Sequence, residues 1–273
     1  MKETAVTEKA RTFRQLHKGP GLLLLANCWD AGSARVLENL GAPALATTSA
    51  GLSWSNGYPD GDALPTDRLV ASVRAIVRAI KVPLTVDIES GYSGDPAAVA
   101  ETVAALMDAG AVGINLEDGS GPPELLAAKI ERVKQRAAQA GVDLFVNART
   151  DVYLRGLVPE PARVEESLAR ARRYRGAGAD GIFVPKVVDA GEIKAIASSI
   201  DLPLNVLAWP KVPPASELPG LGVRRLSSGS ALAQLAFGRA AAAAAAFLRE
   251  GRTDLLTEGA IPFAEINPLF SRG

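Results

Sequence analysis

From Leu22 onward the chain repeats one unit: a short apolar run, a polar turn, then a longer segment with apolar residues at helical spacing. The runs are Leu22–Ala26, Ala44–Thr47, Val82–Val86, Val112–Leu116, Leu144–Asn147, Gly181–Val184, Leu204–Leu207 and Val223–Leu226. Runs this brief and this apolar predict strands buried on both faces. Helical periodicity covers Ser33–Leu40, Thr66–Ile80, Pro96–Ala109, Glu124–Ala140, Pro161–Gly176 and Ala190–Ser198. A shorter segment follows at Ser216–Leu218, and a last helix at Ala231–Arg249. A further helix, Lys2–Lys18, leads in, with Phe13 and Leu16 on its apolar side. Strands alternating with helices pair in parallel. Eight such units predict a (β/α)8 TIM barrel, and 273 residues suit one domain of the ~250 residues typical of that fold. The competing architecture, an open doubly wound sheet, usually carries GxGxxG in its first βα turn, and NCWDAGSA lacks it.

A parallel barrel binds its ligands at the C-terminal strand ends, so those positions are where chemistry is sought. They read Asn27 and Asp30, Ser49 with Gly51, Asp87 and Glu89, Glu117, Arg149 with Asp151, Pro185 with Lys186, Asn205, and Ser227–Ser230. In VDIESGY, strand alternation projects Asp87 and Glu89 from one side. Two like charges so close call for a cation or a shared proton. With Glu117 from the next strand they make a seat for a hard divalent ion, whereas Asp95 and Asp118 read better as helix caps. Arg149 has two readings, a two-pronged grip on a ligand carboxylate or a salt bridge to Asp151 or Glu117. Ser227–Ser230 opens a helix either as an anion-binding turn or as a plain cap. The stretch from Thr48 to Pro65 reads as a long loop without regular structure. It carries Ser49, Ala50 and Gly51 as carboxylate-binding candidates and Tyr58 and Asp60 as proton-transfer groups.

Thirty basic and thirty acidic residues cancel, which removes the global field that nucleic acids or membrane surfaces would attract. The partner expected is a small molecule. The one cysteine, Cys28, follows an apolar strand and reads as a buried, inert thiol, so the chain has no internal disulfide. His17, far from the acids, reads as a packing or surface residue. No uncharged run approaches the ~20 residues needed to cross a bilayer, and Ala240–Ala246 reads as a close-packed helix. With a polar start lacking an apolar signal region, the chain is expected in the cytoplasm. Past Arg249, residues 250–273 form an extension in which Pro262 and Pro268 prevent one continuous helix.

In order along the chain, these motifs resemble the isocitrate lyase and phosphoenolpyruvate mutase superfamily. VDIESGY looks like its metal signature DxDTGYG, with Asp87 matched to the acid nearest Mg2+ and Glu89 in place of the second aspartate. NLED is similar to its next acidic motif, which puts Glu117 among the metal-shell carboxylates. TTSAG with YPD resembles its substrate loop, NARTD carries its arginine at Arg149, and PLNV carries Asn205. The resemblance implies a Mg2+-dependent barrel (Mn2+ as substitute), binding a 2-oxo acid and commonly tetrameric, with the last helix exchanged between subunits. It implies a lyase that breaks a C–C bond through an enolate in a small 2-oxo or 2-hydroxy di- or tricarboxylate. The alternatives are a P–C bond enzyme of the phosphonomutase type and a 2-oxo-acid-binding protein with little catalysis. The sequence departs from the lyases in one place: GSGPPELLAAK is short, without the KKCGH segment that supplies their proton donor. Its first lysine, Lys129, falls inside the next helix. Pro185 stands near the place of a glutamate that the lyases carry after strand six.

Overall fold

A computed structural model describes residues 5–271, and the expected helix therefore begins, for its residues 2–4, outside the described part. Eight parallel strands close in sequence order, β1 against β8, into a barrel. The order is α1 (Ala5–Gln15), β1 (Leu23–Cys28), α2 (Ala31–Asn39), β2 (Leu45–Thr47), α3 (Ser49–Ser55) and α4 (Thr66–Ala79). It continues through β3 (Leu84–Asp87), α5 (Pro96–Asp108), β4 (Gly113–Glu117), α6 (Pro123–Ala140), β5 (Phe145–Arg149) and α7 (Val152–Arg155). The last part is α8 (Arg163–Gly176), β6 (Gly181–Phe183), α9 (Ala190–Ser199), β7 (Leu204–Leu207), β8 (Val223–Ser227), α10 (Ala231–Glu250) and α11 (Phe263–Ile266).

Local chemistry sets the helix ends. Asp95 accepts from Ala97 N at 3.0 Å with Pro96 in the first turn of α5, the arrangement read from the sequence. Asp30 does the same for α2, taking Ser33 N at 2.6 Å. Asp118 does not cap. Its carboxylate is buried and accepts from Asp151 N, Arg170 and Tyr174, while α6 starts behind Pro122.

Apolar side chains fill two regions. The larger lies between strands and helices, from Leu45 and Val86 to Val184 and Val206. The smaller plugs the N-terminal mouth of the barrel, where Phe13 of α1 meets Leu23, Leu25, Ala46, Val112 and Phe145. His17 belongs to this plug, stacked on Phe145 with ring centroids 4.2 Å apart. Between plug and C-terminal mouth the barrel interior is polar. Asn147 Nδ2 donates to Asn115 Oδ1 at 2.9 Å, Arg225 donates to Asn115 and Ser227, and Ser227 Oγ donates to Asn205 Oδ1 at 3.1 Å. Gly113 leaves room for this layer, since a Cβ there would stand 2.9 Å from Thr85 Oγ1. Burial holds Arg225 down to about 9, against the pull of Asp87.

Two expectations fail. The stretch 48–65 is not all loop: residues 49–55 form α3, because fully buried Leu52 ties them to the core. The alanine tract is not close-packed within its own chain: along α10 only Ala233 is buried, and Leu235, Phe237, Phe247 and Leu248 are exposed. That helix is also long and apolar enough, by length and composition, to cross a bilayer, with Arg239 interrupting its uncharged run. The extension is, as expected, not one continuous helix, and its far end returns to the barrel, where Arg35 Nε of α2 donates to Leu269 O at 2.6 Å. Because α10 leads away, Leu24 on the outer face of β1 stays 57 % exposed.

Candidate active site

The C-terminal mouth holds a cavity of about 180 Å³ lined from every side of the barrel. Asn27, Thr48, Ser49, Ala50, Asp60, Asp87, Asn115 and Arg149 line it from β1 to β5. A second cavity, about 340 Å³, lies beside it between the loops after β3 and β4. Glu89, Glu117, Asp62, Lys129 and Arg155 are among its lining residues. The acidic cluster thus forms the wall between the two.

Each acid is held differently. Asp87 closes β3; its backbone N–H donates to Thr47 Oγ1 at 2.9 Å, and Glu89 N approaches its carboxylate at 3.4 Å. Burial raises its pKa, while Arg149 and the backbone N–H groups of Glu89 and Ser49 oppose that rise. Glu89 lies beyond the strand. Its backbone is left-handed, φ 51°, so the alternation that would place it beside Asp87 does not reach it. Its carboxylate accepts from the backbone N–H groups of Gly61 (2.7 Å) and Asp62 and from Tyr92 Oη (3.2 Å), tying the loop before α4 to the end of β3. Burial, with the charges of Asp60, Asp62 and Asp87, pushes it to about 7 despite the Asp62 N–H.

Glu117 and Arg149 are register partners on β4 and β5, and Arg149 Nη1 meets Glu117 Oε2 at 2.6 Å. Burial and the neighbouring carboxylates push Glu117 up against the pull of Arg149. Arg149 also grips Asp151 with Nε at 2.7 Å and Nη2 at 3.1 Å. Burial would lower Arg149, yet Glu117, Asp151 and Asp87 hold it above its ordinary value. Asp151 is fixed in turn: Asp118 accepts its N–H, and Arg155 Nε reaches its Oδ2 at 2.9 Å. Both salt-bridge readings of Arg149 therefore hold, and the residue faces the cavity as well. Among the described residues, no three carboxylate, imidazole or thiol groups converge closely enough to hold an ion by direct contact alone.

The other candidates divide. Ser49, Ala50 and Asp60 line the cavity. Gly51 does not: its missing side chain admits Thr48 and Trp29, each 2.7 Å from where a Cβ would lie, so it serves close packing of α3. Tyr58 packs at the edge of the core instead of the cavity, its N–H closing a turn on Ser53 O. Asn205 lies beneath the floor, bonded to Ser227, with Nδ2 buried and unpartnered. Three residues of the Ser227–Ser230 turn, Ser227, Gly229 and Ser230, line the cavity, and the turn gives α10 no side-chain cap. Asn27 Oδ1 takes the Gly229 N–H at 2.9 Å, and Ser230 makes no capping bond. Cys28 is buried and its thiol pushed up to about 12 by burial, the inert group expected. Lys129, buried in α6, donates to Ser90 O at 2.7 Å. Residues the sequence reading overlooked are Asn115, Leu154, Phe183, Leu207 and Trp209; Pro185, Ser227, Gly229 and Ser230 complete the lining. Phe183 and Leu207 end β6 and β7, a position that marked them, but an apolar side chain there gave no chemical signal.

The family described as phosphoenolpyruvate phosphomutase matches residues 13–248. An uncharacterized protein of Mycobacterium tuberculosis is 40 % identical over 223 residues, covering 80 % of this chain and 82 % of that one. An oxaloacetate decarboxylase of Pseudomonas fluorescens is 32 % identical over 233 residues, 80 % and 78 % of the two chains. Among solved structures, a phosphonopyruvate hydrolase in complex with oxalate and Mg2+ superposes with a TM-score of 0.82. It is 25 % identical and covers 96 % of this chain and 94 % of that one.

Proposed function

Because this chain belongs to the phosphoenolpyruvate phosphomutase family, within the isocitrate lyase/phosphoenolpyruvate mutase superfamily, we propose that it is a Mg2+-dependent lyase breaking a C–C bond in a small 2-oxo or 2-hydroxy carboxylate. The observation that carries this reading is Asp87: a half-buried carboxylate at the cavity wall, with no cation among the described residues bonded to its oxygens, close enough to Glu89, Glu117 and Asp60 for their charges to act on one another. Oxygen donors in that number suit Mg2+, which keeps several waters and takes one or two carboxylates directly. Asp87 would hold the ion, with Glu89 and Glu117 completing its shell through water; Mn2+ would substitute. Bound there, the cation supplies Lewis-acid stabilisation of the negative charge that gathers on a 2-oxo acid as it becomes an enolate.

The chain's own groups supply the rest. Arg149, held by Glu117 and Asp151, presents a fixed positive edge to a substrate carboxylate, and Ser49 with Ala50 bounds it from α3. With Tyr58 outside the lining and no cysteine after β4, Asp60 is the proton-transfer group that faces the cavity. The second reading, a P–C bond enzyme, draws on the phosphonopyruvate hydrolase likeness. The assembly we propose is a homo-oligomer, a dimer or tetramer, in which α10 of one copy covers the bare outer face of β1 on another. Calorimetry with Mg2+ and oxalate tests the site, and pyruvate release from oxaloacetate-, malate- and isocitrate-type acids tests the chemistry. Asp87→Ala is expected to abolish Mg2+-dependent oxalate binding. Phosphonopyruvate turnover by phosphorus NMR, without pyruvate release from any carbon acid, would select the P–C reading; binding with no turnover would overturn both.

A further inference from the structure

The cavity lining is polar from the β8 end, where Ser227, Gly229 and Ser230 stand, round to β5, and apolar at the β6 and β7 ends. In a ring of eight strands in sequence order, β3 and β7 face each other across the axis. Asp87, at the end of β3, therefore looks toward Leu207 and Trp209, which follow β7, with Phe183 and Pro185 of the β6 end and Leu154 of α7 beside them. Those five line the same cavity as the carboxylate-gripping groups and present no charge to it. Among the described residues Arg149 is the one cation in the lining, already engaged at 2.6 Å by Glu117 and at 2.7 Å by Asp151. Arg225 lies below the floor, bonded to Ser227 and Asn115. Lys186 is outside the lining, its Nζ 5.1 Å from the centroid of the Trp209 ring.

We propose that the cavity selects a 2-oxo acid whose far end is uncharged and apolar, with Leu154, Phe183, Leu207 and Trp209 as the selecting residues. This rests on the 2-oxo-acid reading above and narrows it, since a second carboxylate at the far end would be buried against hydrocarbon without a free cation. An alkyl end replaces water there, and each methylene buried is worth roughly fourfold in affinity.

The test is calorimetry of the full chain with saturating Mg2+ and three ligands: oxalate, 2-oxopentanoate and 2-oxoglutarate. The last two have the same number of carbons and differ in a terminal methyl against a carboxylate. The expected result is that 2-oxopentanoate binds about tenfold or more tightly than 2-oxoglutarate, and that Trp209→Ala and Leu207→Asn each reduce that ratio to threefold or less. Trp209 is 42 % exposed, so its replacement leaves the core intact, and thermal unfolding checks both variants. Oxalate separates the two levels of the argument. If oxalate binds and 2-oxoglutarate matches or exceeds 2-oxopentanoate, the selectivity is overturned while the metal site stands; Lys186→Met then tells whether Lys186 swings in to meet the second carboxylate. If oxalate does not bind, the 2-oxo-acid reading itself fails and the selectivity falls with it.

Discussion

Replacing Arg149 by methionine separates the two services this residue performs. Its guanidinium faces Glu117 at 2.6 Å and Asp151 at 2.7 Å, with side-chain exposures of 15 % for the arginine, 11 % for Glu117 and none for Asp151. Removing one partner from a buried ion pair costs ~3–5 kcal/mol, because the charge left behind is desolvated and uncompensated. Arg155 still reaches Asp151, which places Arg149→Met toward the lower end, about 3 kcal/mol. For a chain of this size that lowers Tm by roughly 6–12 °C. The deficit shrinks in acid, where protonation of Glu117, already pushed up by burial, relieves its unpaired charge. Mg2+ affinity moves the other way: with the competing cation gone, the acidic wall attracts the ion more strongly, while oxalate, deprived of its arginine, binds more weakly. Urea unfolding at pH 8 and pH 5 and calorimetry with Mg2+ measure all three. A loss below 1 kcal/mol at pH 8, or a fall in Mg2+ affinity alongside oxalate affinity, would refute the reasoning.

Two further outcomes follow from the site and the plug. Because Glu89 is pushed from 4.5 to about 7, the folded protein binds more protons there than the unfolded chain between those values. Its contribution to stability is therefore lost as pH rises from 4.5 toward 7. Mg2+ binding, which needs Glu89 and Glu117 ionised, strengthens over the same window and on through about pH 8, to which Glu117 is pushed; a calorimetric series from pH 5.5 to 8.5 with unchanging affinity would contradict it. His17→Ala, which the sequence alone marks as nearly silent, is expected to lower stability by ~1–2 kcal/mol. It removes a buried ring stacked on Phe145 and leaves kcat unaltered, so urea unfolding and an activity assay decide it.

The barrel was legible because strands buried on both faces leave uninterrupted apolar runs, and Val112–Leu116 or Leu204–Leu207 admit no other element of that length. The acidic rim was legible for a related reason: Asp87, Glu117 and Arg149 sit where strand periodicity ends and chemistry begins. What escaped depended on contacts distant in sequence. Helix α3 forms from residues of weak helix propensity, SAGLSWS, because Leu52 finds the core. Glu89 departs from alternation through a single left-handed residue, and Asp118 is claimed by Arg170 and Tyr174, more than fifty positions away. Arg225 reads as one of two arginines on a strand, and only the closed ring shows which of them points inward.

With Leu24 bare on β1 and the apolar residues of α10 exposed, the proposed assembly would make the molecule's endurance a matter of how much of it is present. In the dimer proposed above, two apolar surfaces that a lone copy leaves wet would be buried, and mass action would add about 1.4 kcal/mol for each tenfold rise in concentration. Shared between two chains, that lifts melting curves recorded from 0.1 to 100 µM by roughly 1–3 °C per decade. Traces that superimpose over that range would mean the helix shelters nothing but its own chain.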